Sequence, residues 1–426
     1  MLLFSIFLAL VVMVCINVPI AVALALSAVI AIAATDGTGA LVTIALDMYA
    51  GAKSFSLIAI PMFVFAGAIM NATGITRRLI AFVSAIVGFV RGGLSMVNIG
   101  VSLFFAEISG SAVADVAAIG SILIPEMKKR GYPAPFAAAV TSSAASLAII
   151  IPPSIPMILY GVASGASIEQ LFVAGVVPGL IGAGGLMGVA YFFARRYNFP
   201  TEAAFNLGRL RTSFVEALPC FALPIIILGG IFGGFVTATE GAGLAVVAAV
   251  LVGLWYREVD WAQLKEATLE GGIQTAVVML LVASSILMGS YLTTARVPQE
   301  LAGAILDLTT NQYLILLILN VFFLIIGFFL HSSAAIILVV PIIVPLIQQA
   351  GIDPVHFGLV VTLNLAIGQQ TPPVASVLIT ACSIAKANIW EVSKWNLPFI
   401  GVLLFVLLLC TYVPAVPMFL VEYFYR

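Results

Sequence analysis

Two proline pairs, Pro152-Pro153 and Pro372-Pro373, lie 220 residues apart inside the apolar stretches IIIPPSIP and GQQTPPVA. Each falls in a segment that reads as a membrane span. Proline lacks an N–H and its ring clashes with the preceding turn, so no regular helix runs through either pair. A broken span leaves amides and carbonyls at mid-membrane depth, where they persist only if they are buried in protein or line a cavity. Matching breaks in two halves point to a binding site near the bilayer centre.

The 426 residues are 63% hydrophobic and 8% charged. Soluble domains carry roughly 25% charged residues. This chain cannot cover an ordinary water-facing surface, so it reads as an all-α integral membrane protein. A net charge of −1 gives a nucleic acid nothing to hold. Cys15, Cys220, Cys382 and Cys410 are far apart in apolar segments without CxxC spacing, and read as small core residues. No basic residue precedes Lys53. That argues against a cleaved signal peptide and fits an N-terminus outside the cytoplasm.

The 220-residue offset recurs: Pro125 matches Pro345, and Gly131 matches Gly351. Upstream it becomes 222, pairing Gly67 with Gly289 and Leu79 with Leu301. INVPIAVALAL (16–26) also resembles TATEGAGLAVV (237–247). Several matches in one order indicate an internal duplication. We expect a first repeat over 1–211, with scaffold helices in 1–93, a hairpin and broken helix in 94–193, and a cytoplasmic linker in 194–211. The second repeat covers 212–426, with scaffold helices in 217–310, a hairpin and broken helix in 312–383, and a last helix in 395–421.

A span needs roughly 20 apolar residues. The first half supplies crossings near 2–17, 19–34, 55–71, 135–162 (broken) and 170–193. The second supplies 217–236, 240–256, 271–295, 356–383 (broken) and 395–421. Two further apolar segments, 94–127 and 312–349, have weakly polar middles, EISGSAVAD and LHSSAA. Both read as re-entrant hairpins. Segments 75–91 and 297–310 read as amphipathic helices lying along opposite membrane surfaces.

Five crossings per half force the halves into opposite orientations. Of the 17 basic residues, Lys53, Arg296 and Arg426 then fall outside and the other fourteen inside, as the positive-inside rule requires. The expected fold is therefore two inverted-topology repeats, each with a re-entrant helical hairpin and a discontinuous transmembrane helix.

The hairpin tips and breaks carry the candidate chemistry. Ser109, Gly110 and Ser111 beside Ile149 and Pro152 offer neutral oxygen donors that suit sodium. His331, Ser332 and Ser333 beside Gly368 and Thr371 offer a second such set. No other metal and no organic cofactor is expected. Each proline pair suits the first turn of a new half-helix, whose amides and dipole favour an anion. Ser154, Asn364, Gln369 and Gln370, with Pro153 and Pro373 at the breaks, are the expected substrate contacts. Ionisable groups deep in a membrane are functional suspects. Asp115 either reaches a site or braces its hairpin, and Glu107 and Glu240 read as caps or pairs near turns. His331 stands at a tip, where it can bind substrate or respond to pH. His356, after Asp353-Pro354, reads as interfacial.

At these residues the chain resembles the large membrane subunit of the tripartite ATP-independent periplasmic (TRAP) transporters. SGSAVADVAAIGSILIPEM (109–127), IIIPPSIPMILYGVASGASI (149–168), LFVAGVVPGL (171–180), AGIDPVHFG (350–358) and AIGQQTPPV (366–374) carry the likeness, which runs nearly end to end. The resemblance implies sodium-coupled uptake of a small organic acid across the bacterial inner membrane. It implies an elevator, similar to the ion transporter superfamily, in which hairpins and broken spans move together against a scaffold. It also implies a small four-helix (Q-type) membrane subunit and a periplasmic substrate-binding (P-type) protein. With the orientation above, both termini are expected in the periplasm. Two departures stand out: His331 occupies a place that is often acidic in the family, and Ala375 ends a motif that commonly ends in glycine.

A stand-alone sodium–organic anion symporter of the same architecture is the alternative. A membrane enzyme is disfavoured, because GxSxG, HxxxD and HExxH are all missing from the sequence. His331-Ser332 adjacency is no dyad by itself.

Overall fold

The computed structural model describes residues 9, 12, 13, 16, 18–35, 37–201, 204–258, 261–372 and 374–425, without the side chains at 38, 108, 109, 263, 267, 270 and 274. The expected crossing at 2–17, with Cys15, falls almost wholly outside them, as does Pro373. The described residues form helices and no strand. Among the described residues, eight helical segments are long and apolar enough to cross a membrane.

The first repeat runs α1 (Ile20–Thr35), α2 (Ile44–Ala52), α3 (Ala59–Ala72), α4 (Ile75–Val87), the hairpin arms α5 (Gly93–Ser109) and α6 (Ala112–Lys129), the half-helices α7 (Ala134–Ala145) and α8 (Ile155–Ser164), and α9 (Ile168–Arg196). The second runs α10 (Leu207–Ala217), α11 (Ala238–Tyr256), α12 (Trp261–Thr294), α13 (Val297–Leu308), the arms α14 (Gln312–Phe329) and α15 (Ser332–Gln349), the half-helices α16 (Pro354–Gly368) and α17 (Ser376–Ala385), then α18 (Ile389–Tyr412) and α19 (Ala415–Tyr425). Both hairpins, both broken spans and both amphipathic helices stand where the sequence reading puts them. The fold is all-α, with two repeats of inverted topology.

Starts of these helices carry side chains suited to free amides. Ser167 accepts from the Gln170 N–H at 3.2 Å, and Asp353 Oδ1 from the Val355 N–H at 2.8 Å. Thr237 and Glu240 close a capping box at the start of α11, so Glu240 is a cap, as expected.

Four features differ from expectation. The span read at 217–236 is the second part of a bent segment, Leu207–Phe232. Pro219 and Pro224 each remove a helical donor there, and the backbone shifts to a π turn over Ile225–Gly229. The last span, read at 395–421, is divided at Pro414 into α18 and α19. Helix α2 has no counterpart in the sequence reading. Pro152, Pro153 and Pro372, expected in the first turns of the half-helices, instead stand in the breaks, and Pro373 lies outside the described residues. Ser154 caps α8, and Ala375 holds the N-cap position of α17 without a side-chain bond.

The two repeats interlock. In each, the first hairpin arm packs on the first half of its own broken span, α5 on α7 and α14 on α16. The second arm crosses to the other repeat's later half-helix, α6 to α17 and α15 to α8. Each first-arm pair is joined by a side-chain hydrogen bond. Asn98 Nδ2 donates to Thr141 Oγ1 at 2.6 Å, and Asn364 Nδ2 to Asn320 Oδ1 at 2.7 Å. Asn98 and Asn320 stand 222 residues apart, the same offset as the repeat. Around this body, α12 packs on α1, α2 and α3, and α11 packs on α3, forming a scaffold.

One ion pair ties the surface helix α4 to the end of α11. Arg78 grips Glu258 with two bonds of 2.8 and 2.9 Å and lies over the Tyr256 ring at 3.7 Å. The hydrogen bonds from Arg78 hold the Glu258 carboxyl below its ordinary pKa. Arg77 reaches the same carboxylate only at 3.9 Å and from an exposed position. Replacing Arg78 by Met should cost about 1–2 kcal/mol. Arg77→Met should cost less than about 0.5 kcal/mol. Thermal unfolding of the two variants in detergent checks the ranking. The Arg78 contribution is present above the ordinary Glu pKa and should fade as pH falls through the lowered one.

Candidate functional site

Each broken span is closed by the neighbouring hairpin. At the first break the Ile155 N–H donates to Gly110 O at 3.3 Å, and at the second the Val374 N–H donates to Phe328 O at 3.2 Å. Gly110 holds φ +59°, and a Cβ there would stand 2.8 Å from Pro153 O. Glycine meets both demands. At the second break Gly368 crosses Gly327 so closely that a Cβ on Gly368 would stand 2.5 Å from the Gly327 carbonyl carbon.

The two tips and both breaks meet at one cavity of about 430 Å³. Gly110, Ser111 and Ile149 line it from the first repeat, and His331, Ser332, Ser333 and Gln369 from the second. The scaffold closes the other side with Ile20, Val64, Ile273, Val277 and Leu281. Among the described residues no lysine or arginine lines it, and His331 is its one ionisable side chain.

Helix N-termini aim at this space from both tips. Ser111 caps α6 and accepts from the Ala114 N–H at 3.5 Å. Helix α15 differs. His331 is its N-cap residue but makes no side-chain cap bond. Its imidazole is exposed to the cavity, whereas the Ser332 side chain is 1% exposed and its hydroxyl has no hydrogen-bond partner. The first amides of a helix lack intrahelical partners. An uncapped helix start, an idle buried hydroxyl and an imidazole together make a seat for an anionic group.

Several expected contacts are otherwise engaged. Ser154 donates to Ile149 O at 2.7 Å and accepts from the Met157 N–H at 3.4 Å, so it braces the first break. Gln370, fully buried, donates to Ser142 O at 2.7 Å and to Ser146 Oγ, and accepts from Asn396 Nδ2 at 3.2 Å. Asn396 accepts in turn from Ser143 Oγ. Gln370 therefore ties the second break to α7 and α18 instead of facing the cavity. Asn364 belongs to the clamp with Asn320. Thr371 Oγ1 donates to Ile367 O at 3.1 Å, and Gly368 O accepts from the Thr371 N–H at 3.0 Å. Pro152 stands in the break but does not line the cavity, and the Ser109 side chain and Pro373 lie outside the described residues.

Asp115 is fully buried in the first turn of α6. Glu107, read as a cap or pair, instead faces a groove with Phe104, Phe221 and Ile225. His356, read as interfacial, is 4% exposed and joins Cys410 O at 2.7 Å. The sequence reading missed the scaffold wall and the Ser142–Ser146–Asn396 network. Asparagines 98 and 320 were detectable, as polar residues in apolar runs at the repeat's own spacing.

Gln370→Leu should strand the Ser146 and Asn396 partners and lower stability by about 2–3 kcal/mol. Gln369→Leu, at the cavity wall, should cost clearly less. Thermal unfolding in detergent separates them, and equal losses would contradict the division of roles.

Comparison with known proteins gives the same picture at family level. Residues 7–416 match the family described as "Tripartite ATP-independent periplasmic transporter, DctM component". The isethionate TRAP transporter permease protein DctMQ of Oleidesulfovibrio alaskensis is 40% identical over 368 residues, 86% of this chain but 58% of that longer protein. The C4-dicarboxylate TRAP transporter large permease protein DctM of Pseudomonas aeruginosa is 37% identical over 375 residues, 88% of each chain. The crystal structure of the Alcanivorax borkumensis YdaH transporter matches with a TM-score of 0.64 at 14% identity, covering 88% of each chain, a likeness of fold.

Proposed function

Because this chain belongs to the DctM component family of the tripartite ATP-independent periplasmic transporters, we propose that it carries a small organic acid across the bacterial inner membrane in symport with sodium. It acts as the large membrane subunit, beside a small four-helix membrane subunit and a periplasmic binding protein. The names of its relatives speak of isethionate and C4-dicarboxylates, both small organic acids. The observation that carries the reading is the cavity of about 430 Å³ held between the paired hairpin tips and an apolar scaffold wall.

The acid's anionic head sits at the start of α15, against the Ser332 hydroxyl, the first amides of that helix and His331. Sodium is held by hard oxygen donors. One ion lies at the first tip, with Ser109, Gly110 and Ser111 beside Ile149 and Pro152. A second lies at Ser333, Gly368 and Thr371, where the Gly368 carbonyl and the Thr371 hydroxyl each keep a lone pair beside the bond they make in the break. Bound sodium offsets the charge of the acid in a site with no lysine or arginine, so loss of sodium releases the acid. Hairpins and broken spans, joined by the Asn98–Thr141 and Asn364–Asn320 clamps, move together against the scaffold in an elevator. With the fourteen inward basic residues defining the cytoplasmic side, both termini lie in the periplasm.

Proteoliposomes holding this chain, its small subunit and the cognate binding protein test the reading. Uptake should require an inward sodium gradient and the binding protein. Uptake that ignores the binding protein would favour the stand-alone symporter, and uptake that ignores sodium would remove the coupling. In the same system His331→Ala should raise KM about tenfold, ~1.4 kcal/mol of lost binding, while the sodium concentration for half-maximal rate stays unchanged. Ser111→Ala should do the reverse.

A further inference from the structure

Helix α12 lines both cavities along one stripe that winds around it. Ile273, Val277 and Leu281 face the cavity at the tips. Ser285, Gly289 and Thr293 continue that stripe, at four-residue spacing, into a second cavity of about 240 Å³. Residues four apart are neighbours on a helix surface, and the small rotation left over at each step makes the stripe wind. The opposite walls also continue. On α8, Ile155 lines the first cavity, and Leu159 and Val162 line the second. On α15, Ala334 lines the first, and Ile337 and Pro341 the second. The stripe changes chemistry on the way, from branched aliphatic to hydroxyl and glycine.

Ser285 is 2% exposed, lines the second cavity, and its hydroxyl has no hydrogen-bond partner. Thr293 Oγ1 donates to Gly289 O at 2.8 Å, which leaves its oxygen as an acceptor. Ser290 adds a third hydroxyl at the rim. A buried hydroxyl without a partner is costly unless something else completes it.

We propose that the hydroxyl-bearing stretch of α12 beside this second cavity is a further seat for the transported acid, in which Ser285, Ser290 and Thr293 hydrogen-bond a polar group remote from its anionic head once the tips have moved up to it. The inference rests on the transporter reading above and adds to it. The tips carry the head with them, and the far end of the acid meets whichever part of α12 it stands against. From Leu281 or Val277 to Gly289 is 8 or 12 residues, a travel of about 12–18 Å at 1.5 Å per residue. Basic-residue placement puts the hydroxyl end of α12 on the periplasmic side. The far group is therefore hydrogen-bonded on arrival and meets only isoleucine, valine and leucine at the other end. That asymmetry selects small acids with a second hydrogen-bonding group, such as a hydroxyl or a second carboxyl. It also weakens their hold on the cytoplasmic side.

The test uses the assembled transporter with its four native cysteines replaced by serine. One variant pairs Ala334→Cys with Leu281→Cys, the other Ala334→Cys with Gly289→Cys. Mercuric ion should bridge both pairs, read as protection from a maleimide mass tag. If the parent transports and only the Leu281 pair is bridged, the second seat is overturned and the transporter reading stands. With the Gly289 pair bridged, binding of two- to four-carbon acids is compared with binding of their hydroxy and dicarboxylic counterparts. At least one polar-ended acid should bind five- to tenfold more tightly than its partner, and Ser285→Ala should abolish that preference. No preference anywhere in the set, or one that survives Ser285→Ala, also overturns the proposal.

Discussion

A peptide group in hydrocarbon must find a hydrogen bond within the protein. That requirement organises this molecule. Two spans are interrupted by proline, and each interruption exposes backbone that its own helix cannot satisfy. The nearest hairpin tip answers it, Gly110 O for the Ile155 N–H and Phe328 O for the Val374 N–H. Re-entrant hairpins are thus the structural counterpart of the breaks. Because a tip closes a break, the two arrive together at mid-membrane depth, and a cavity forms where the two sets meet.

The same constraint explains why the central body holds together. Side-chain amides reach across the breaks and between repeats. Gln370 links the second break to the Ser142–Ser146 turn of the first repeat and to Asn396. Second hairpin arms crossing to the opposite half-helix add apolar packing to these bonds. Breaking one buried contact of this body would leave its partner unsatisfied. The scaffold meets it differently. Along α12 the face toward the cavity is aliphatic, and nothing on Ile273, Val277 or Leu281 bonds to the tips. An apolar, unbonded contact is what the elevator proposed above requires.

Much of this was legible in the residues. Diproline pairs in apolar runs announce broken spans because proline's missing donor acts wherever it stands. The 220-residue offset, carried by Pro125, Gly131 and their partners, announces the duplication. Small-residue tips in apolar hairpins, as at Gly110-Ser111, announce a turn that must admit close backbone. Legibility fails where a residue has several admissible partners. Gln369 and Gln370 are adjacent and chemically identical, yet one reaches the cavity wall, bonded only within its own span to Leu365 O and Ser376, and the other ties into the first repeat. Helix rotation separates them, and nothing in their own identity does so. Ser154 looked like a substrate contact and is a cap, because hydroxyls near helix starts are drawn first to their own backbone.

By itself the sequence determined that the chain is an all-helical membrane protein, that it is duplicated, and that its spans break at two matched points. Those properties follow from local chemistry: apolarity over span lengths, the proline ring, and repeated spacing. Only the tertiary structure decided which polar groups remain unused after folding. His331 turned toward the cavity, the idle hydroxyl of Ser332 and the aliphatic-to-hydroxyl face of α12 depend on which helices meet and at what rotation. That is settled by long-range packing between repeats, which no single segment encodes.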